Sequence, residues 1–271
     1  MKDTRNLNIV IGILFLFICT TIQAQNNSDE NIKDYGVIVT DRPDQTESPT
    51  LVPKGLLQVE TGFMYEEITT DNIESNTTTF NTMLLRYGLL DNLELRLGLD
   101  IAGTKNSARN SNFEDKFSGL SPLYVGFKIG ITEEKGALPE IGFLGGAFLP
   151  FTAATKYKPE NTGGDFRFSF AHTLSENWSF SYNLGAAWDG NSSNVSYVYT
   201  TVLGHSITEK IGCYLEFYGD FPESDRANHL IDGGFTYLVS NNIQLDLSGG
   251  TGINTDQDFF ISTGISFRLP K

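Results

Sequence analysis

Downstream of residue 24, this 271-residue sequence has no apolar run approaching the roughly 18 residues a membrane helix needs, so helical spans are excluded. Cysteine is scarce as well. Cys19 lies in the N-terminal apolar segment and Cys213 is the only other, which leaves no intramolecular disulfide framework. Histidine is limited to His172, His205 and His229, and no His/Cys/Asp cluster has metal-ligand spacing. The stretch Gly142 to Gly146 lacks both the lysine and the following helix of a phosphate loop. Positive charge is also short, with 19 Lys and Arg against 33 Asp and Glu, and the net charge of −14 excludes a general affinity for nucleic acid. No metal and no cofactor are expected.

What is present is a period of two. From Trp178 to Trp188, large apolar side chains occupy one parity and small or polar ones the other, which specifies a strand. The stripe begins and ends in tryptophan, the residue that settles at a membrane–water boundary. Ten steps at about 3.3 Å, tilted roughly 40°, separate the two indoles by about 25 Å along the membrane normal, the height of the apolar band of an outer-membrane barrel. Trp178 and Trp188 are therefore expected as interface anchors. The pattern recurs: Leu93 to Ile101 alternate with Glu94, Arg96 and Asp100, Ile211 to Phe221 with Glu216 and Asp220, Ile243 to Leu247 with Asp246, and Phe259 to Phe267 with Arg268. Charges keep to one face. The fold class implied is all-β, a transmembrane antiparallel up-and-down barrel that closes so that no backbone group meets lipid unpaired.

Residues 1–24 read as a signal peptide, with Lys2 and Arg5 ahead of the apolar run Ile9 to Ile18 and cleavage after Ala24, so the chain is expected to reach the bacterial outer membrane by export. Residues 25–55 lack strand periodicity and carry prolines at 43, 49 and 53. They are expected to form an extended arm, either periplasmic or inserted in the barrel mouth. The barrel should occupy 56–271 with about twelve strands. Tight turns at Asp91-Asn92, Ser175 to Asn177, Thr208 to Lys210 and Ser240 to Asn242 alternate with longer segments at 68–78, 103–119, 152–163, 189–194, 222–228 and 254–257. That asymmetry separates periplasmic turns from extracellular loops. Arg86 disturbs the alternation of its strand. Glu60, Glu94, Arg96, Asp100, Lys128, Arg167, Glu216, Asp220, Asp232, Asp246 and Arg268 fall on the inward parity, where ionised groups need water or partners.

The stretch Thr40-Asp41-Arg42-Pro43-Asp44-Gln45-Thr46-Glu47-Ser48-Pro49, followed by Val52 to Gly55 and the strand Leu56 to Phe63, resembles a family of outer-membrane transporters labelled for the MetA pathway of phenol degradation. The resemblance implies a barrel and the passage of aromatic or other small hydrophobic compounds, and it supplies no catalytic residues. Ser262 to Leu269 resembles the C-terminal signal by which outer-membrane barrels engage their assembly machinery, which would be a partner along with outer-membrane lipids. Two functions compete: a passive channel for small molecules, or a non-conducting structural or adhesive barrel. An outer-membrane lipid hydrolase is the remote alternative. It would need a histidine and a nucleophile within hydrogen-bond reach, whereas adjacent His205 and Ser206 point to opposite faces and the three histidines lie at different strand ends. No enzyme is expected.

Overall fold

A computed structural model describes residues 35–269; the expected signal peptide, 1–24, and the first part of the arm lie outside them. From Leu57 onward the chain is almost wholly antiparallel sheet: β1 (Leu57–Thr70), β2 (Ile73–Leu90), β3 (Leu93–Ala108), β4 (Glu114–Leu120), β5 (Leu123–Thr132), β6 (Glu140–Leu149), β7 (Gly163–Thr173), β8 (Trp178–Trp188), β9 (Ser196–Ser206), β10 (Ile211–Pro222), β11 (Asn228–Ser240), β12 (Ile243–Gly252) and β13 (Gln257–Leu269). Consecutive strands pair except β4 with β5, and β13 returns to pair with β1, from Leu57 opposite Leu269 to Glu67 opposite Phe259. The wall is a closed barrel of 12 strands. Thirteen segments fill twelve places because β4 and β5 share one: β3 pairs with β5 below and with β4 above. The break falls at Ser121-Pro122, where proline has no N–H to give a ladder.

Burial is inverted relative to a water-soluble protein. Leu184, Leu215, Leu247 and Phe217 are 53%, 54%, 50% and 44% exposed, whereas Glu94, Lys128, Glu216 and Arg86 are wholly buried. Apolar side chains therefore face outward and ionised ones inward, which is stable only where lipid replaces water outside. Among the described residues no helix is long and apolar enough to cross a membrane. Strand β8 runs from Trp178 to Trp188, the span expected from sequence. Cys213 shares its parity with exposed Leu215 and Phe217, on the outer face.

Two expected loops are strand instead. Residues 68–78 and 103–119 were expected to be irregular, but β1, β2, β3 and β4 run through them as tall hairpins, turning at Asp71-Asn72 and near Arg109. Asp71 has φ of 54°, the left-handed conformation a tight hairpin turn requires. These extensions are polar on both faces, so they carry no apolar alternation. Arg86 is not a disturbance either. It points inward beside Gln58 and Arg96 in register, and the parity changes higher up, at a bulge that leaves Phe80 unpaired between Thr79 and Asn81.

Candidate functional site: a strapped lumen

The arm segment Val37–Leu56 crosses the barrel interior. It enters against the β11–β12 turn, where Ile38 N–H donates to the Asn241 carbonyl at 2.8 Å, and leaves at Gly55, whose N–H donates to the Gly88 carbonyl at 2.6 Å. In between, Thr40 accepts from Gln244 at 2.7 Å and Thr50 donates to Glu140 at 3.1 Å, and four larger groups of contacts fix it to the wall.

The densest is a network of three cations and four carboxylates, with arm Asp41 at its centre. Arg86 reaches Glu94 at 2.8 Å, Glu60 at 2.9 Å and Asp41 at 3.1 Å, and donates to the Thr50 carbonyl at 3.0 Å. Arg96 reaches Asp41 and Glu47 at 2.8 Å each, and Lys128 reaches Asp41 at 2.9 Å and the Ser48 carbonyl at 2.7 Å. Burial alone would raise the pKa of Asp41, but Arg86, Lys128 and Arg96 outweigh it and hold the carboxyl well below the usual carboxylate range. Buried charges of this kind persist only when paired and hydrogen-bonded, as these are.

Arg42 forms the second contact. Its guanidinium donates to Asp246 at 2.8 and 3.1 Å, to Thr82 at 3.1 Å and to Ser262 at 3.0 Å. Room for it is made by Gly62 and Gly264, which face each other across β1 and β13: a Cβ at Gly62 would lie 2.7 Å from the guanidinium, and one at Gly264 would collide with it. The third contact joins Gln45 N–H and Thr46 Oγ1 to Glu216, at 2.7 and 2.5 Å. In the fourth, Asn183 exchanges hydrogen bonds with the Glu47 backbone, at 2.7 and 2.9 Å.

The sequence-derived lumen charges sort accordingly. Glu60, Glu94, Arg96 and Lys128 join the first network, Asp246 takes Arg42, and Glu216 takes the arm backbone. Asp232 is buried beside Glu216, and Arg268 is buried near the periplasmic rim, bonded to Asn242 at 2.9 Å. Asp100 lines a cavity of about 210 Å³ beside Asp41 and Glu47. Asp220 bonds Ser196 and Asn228 near the extracellular end, and Arg167 donates to the Gln45 carbonyl at 3.1 Å. Sequence reading missed Arg86 and Asp165 as inward members, and it left open whether the arm, with Asp41, Arg42 and Glu47, is periplasmic or inserted in the barrel mouth. Parity counted across the two-residue turn at Asp91-Asn92 would set Arg86 opposite Leu97; a bulge at Leu89 sets it opposite Arg96 instead, so its inward direction was not legible in the alternation.

The arm lies between two chambers. One of about 430 Å³ near the periplasmic ends is lined by Thr40, Pro43, Ser179, Ser181, Val202 and Gln244, and one of about 680 Å³ near the extracellular ends by Pro122, Phe148, Ala187, Ser196 and Asp220. Tyr124 and Phe148 pack in the upper half with ring centroids 5.0 Å apart and planes tilted by 47°. Trp178 and Trp188 share the outward parity of Leu184: Trp178 stacks on His205 at 4.2 Å and Trp188 lies 6.1 Å from Phe166. His172 packs near Phe180, and His229 bonds Tyr199 at 2.8 Å, so the three histidines do not converge. Among the described residues no group of three or more His, Cys, Asp or Glu is arranged to hold a metal ion.

A closed antiparallel barrel with lipid-facing apolar residues and a charged, strapped lumen defines an outer-membrane β-barrel. The family described as "Putative MetA-pathway of phenol degradation" matches residues 40–269, and the chain belongs to it. Among solved structures, an outer membrane channel from Pseudomonas putida F1 is 13% identical with a TM-score of 0.64, over 89% of this chain and 100% of that one. The translocator domain of the autotransporter NalP from Neisseria meningitidis is 12% identical with a TM-score of 0.50, over 80% of this chain and 90% of that one. The CymD monoaromatic hydrocarbon channel is 10% identical with a TM-score of 0.43, over 81% and 89%. No curated protein matches the sequence.

Proposed function

We propose that this protein is a passive outer-membrane channel for small molecules, narrowed by its own N-terminal arm, and that its permeants include small aromatic compounds. The observation that carries the reading is the arm crossing a polar lumen between two chambers. Apart from the backbone bonds of Gly55 and Leu56 to Gly88 at its exit, it is held there by side chains and turn backbone, without adding a strand to the sheet, so it can leave without breaking the wall. The family assignment and the Tyr124–Phe148 pair in the upper half favour aromatic permeants. We further propose export through residues 1–24, passage in place of catalysis, and recognition of β13 by the barrel-assembly machinery. Single-channel recording in planar bilayers, with a liposome swelling assay using phenol and glucose, tests the reading. Conductance with faster entry of phenol than of glucose is the expected result. Sequencing the N-terminus of outer-membrane protein should begin at Gln25.

A closed structural barrel is the second reading, favoured by the complete pairing of Arg86, which is wholly buried. Absence of conductance from both the full protein and an arm-deleted protein would establish it.

A further inference from the structure

Three acids meet where the arm crosses the β10–β11 wall: half-buried Asp44 on the arm, Glu216 on β10 and Asp232 on β11. Glu216 and Asp232 stand directly opposite in the ladder, a position where two like charges repel. The neighbouring cations are committed elsewhere. Arg42 is held by Asp246, Arg96 by Asp41 and Glu47, and Arg167 lies against Asp165 at 3.8 Å and the Gln45 carbonyl.

The hydrogen bonds distinguish the members of this group. Glu216 accepts from Gln45 N–H and Thr46 Oγ1, as an ionised carboxylate does. Asp232 is only 3% exposed, yet neither of its oxygens has a hydrogen-bond partner. Ser248 Oγ on β12, equally buried, and Tyr214 Oη on β10 are likewise without partners. A carboxylate stripped of water with no donor is strongly disfavoured, whereas a protonated one becomes a donor to the anion opposite.

We propose that Asp44, Glu216 and Asp232 form a proton-binding site that fastens the arm to the β10–β11 wall, so that proton uptake seats the arm and proton loss frees it. The electrostatics agree in sign. Burial first, then the charges of Glu216 and Asp232 and more weakly Asp41, push the Asp44 carboxyl well above the usual range, against its own backbone hydrogen bond. A group whose pKa is higher when docked favours docking at low pH, and that contribution is lost as pH rises through the docked value. Facing Asp44 are Glu216 and Tyr214 from β10 and Asp232 from β11, with Thr200 from β9 and Ser248 from β12 completing the surround. Asp41, held low by its three cations, stays ionised through the range in which this site fills.

The effect on ion flow rests on the channel reading; the site itself does not. Full-length mature protein in detergent would be examined by infrared spectroscopy in D₂O from pH 5 to 9. In a Cys213→Ser background, spin labels at Val39→Cys and Asn177→Cys would report the arm-to-rim distance. A protonated carboxyl band at pH 7 is expected in wild type and weakened in Asp232→Asn. The distance should be narrow at pH 5 and broad at pH 9 in wild type, and should broaden less in Asp232→Asn, where the neutral amide mimics the protonated acid and leaves only Glu216 to repel Asp44. The docked-to-free ratio should fall about tenfold for each unit by which docking raises the Asp44 pKa, with conductance rising in step. A distance that ignores pH in wild type, or broadens equally in Asp232→Asn, would overturn the proposal. So would a spectrum of carboxylates alone that shifts on adding Na⁺ or Ca²⁺, because a metal would then hold the cluster. A barrel that shows the expected spectra and distances without conducting would fail the channel reading only.

Discussion

Arg86 shows at the scale of one side chain how much the lumen depends on pairing. It is wholly buried and touches Asp41, Glu60 and Glu94, so Arg86→Met leaves three carboxylates without their shared cation. Removing one partner of a buried pair typically costs about 3–5 kcal/mol, and urea unfolding in detergent should show a loss of at least that order. On the outer face the relevant quantity is transfer into lipid. Leu184→Arg should cost about 2–4 kcal/mol near the midplane. Its control is Ser181→Arg, which opens onto the lower chamber and should be much milder. Asn183, although inward, is unsuitable as a control because it is wholly buried against the Glu47 backbone. Equal losses for Leu184→Arg and Ser181→Arg would contradict the assigned faces.

At the scale of elements, the strands were legible and their partnerships were not. Alternation located β3, β8, β10, β12 and β13 because each carries apolar residues on one face against lipid. It failed in the tall parts of β1 to β4, where Glu66, Glu67, Thr69, Thr77 and Lys105 leave no apolar face to read. Parity placed the eleven charges inward, but parity carries no information about a segment without secondary structure. Whether the arm lies in the periplasm or in the barrel mouth was therefore left open, and with it the pairing of Asp41 and Arg42 to wall charges from β2, β3, β5 and β12. The arm makes its own prediction. Deleting 37–53 should raise single-channel conductance and lower the temperature of heat modification on gels, since Arg86, Arg96 and Lys128 all lose Asp41. Acid should mimic part of this: Asp41 contributes to seating above the usual carboxylate range, and that contribution disappears as pH falls through its lowered value. Trypsin cleavage near Arg42, assayed at neutral pH after a brief acid pulse well below pH 4, should increase relative to an unpulsed sample.

For the molecule as a whole, the charge balance bears on ion preference. The net charge is −14, and four inward acids, Glu216, Asp220, Asp232 and Asp246, come from the three neighbouring strands β10 to β12. Arg42 neutralises Asp246, so the wall is less negative than its strands alone would make it. The remaining acids still lie in a passage where charges are screened less than on an open surface. Under a salt gradient the reversal potential should indicate cation preference. Asp220→Asn should reduce it more than Asp246→Asn, because Asp220 lines the extracellular chamber and has no cationic partner among the described residues. An identical potential in both variants would exclude this wall as the filter.

The notch occupied by Arg42 also has a meaning in time. Its two glycines come from the first and last strands, and its acceptors from β2, β12 and β13, so the notch does not exist until the barrel has closed. The residues synthesised ahead of every strand thus take their places after all of them, and a seated arm certifies that the seam behind it is complete.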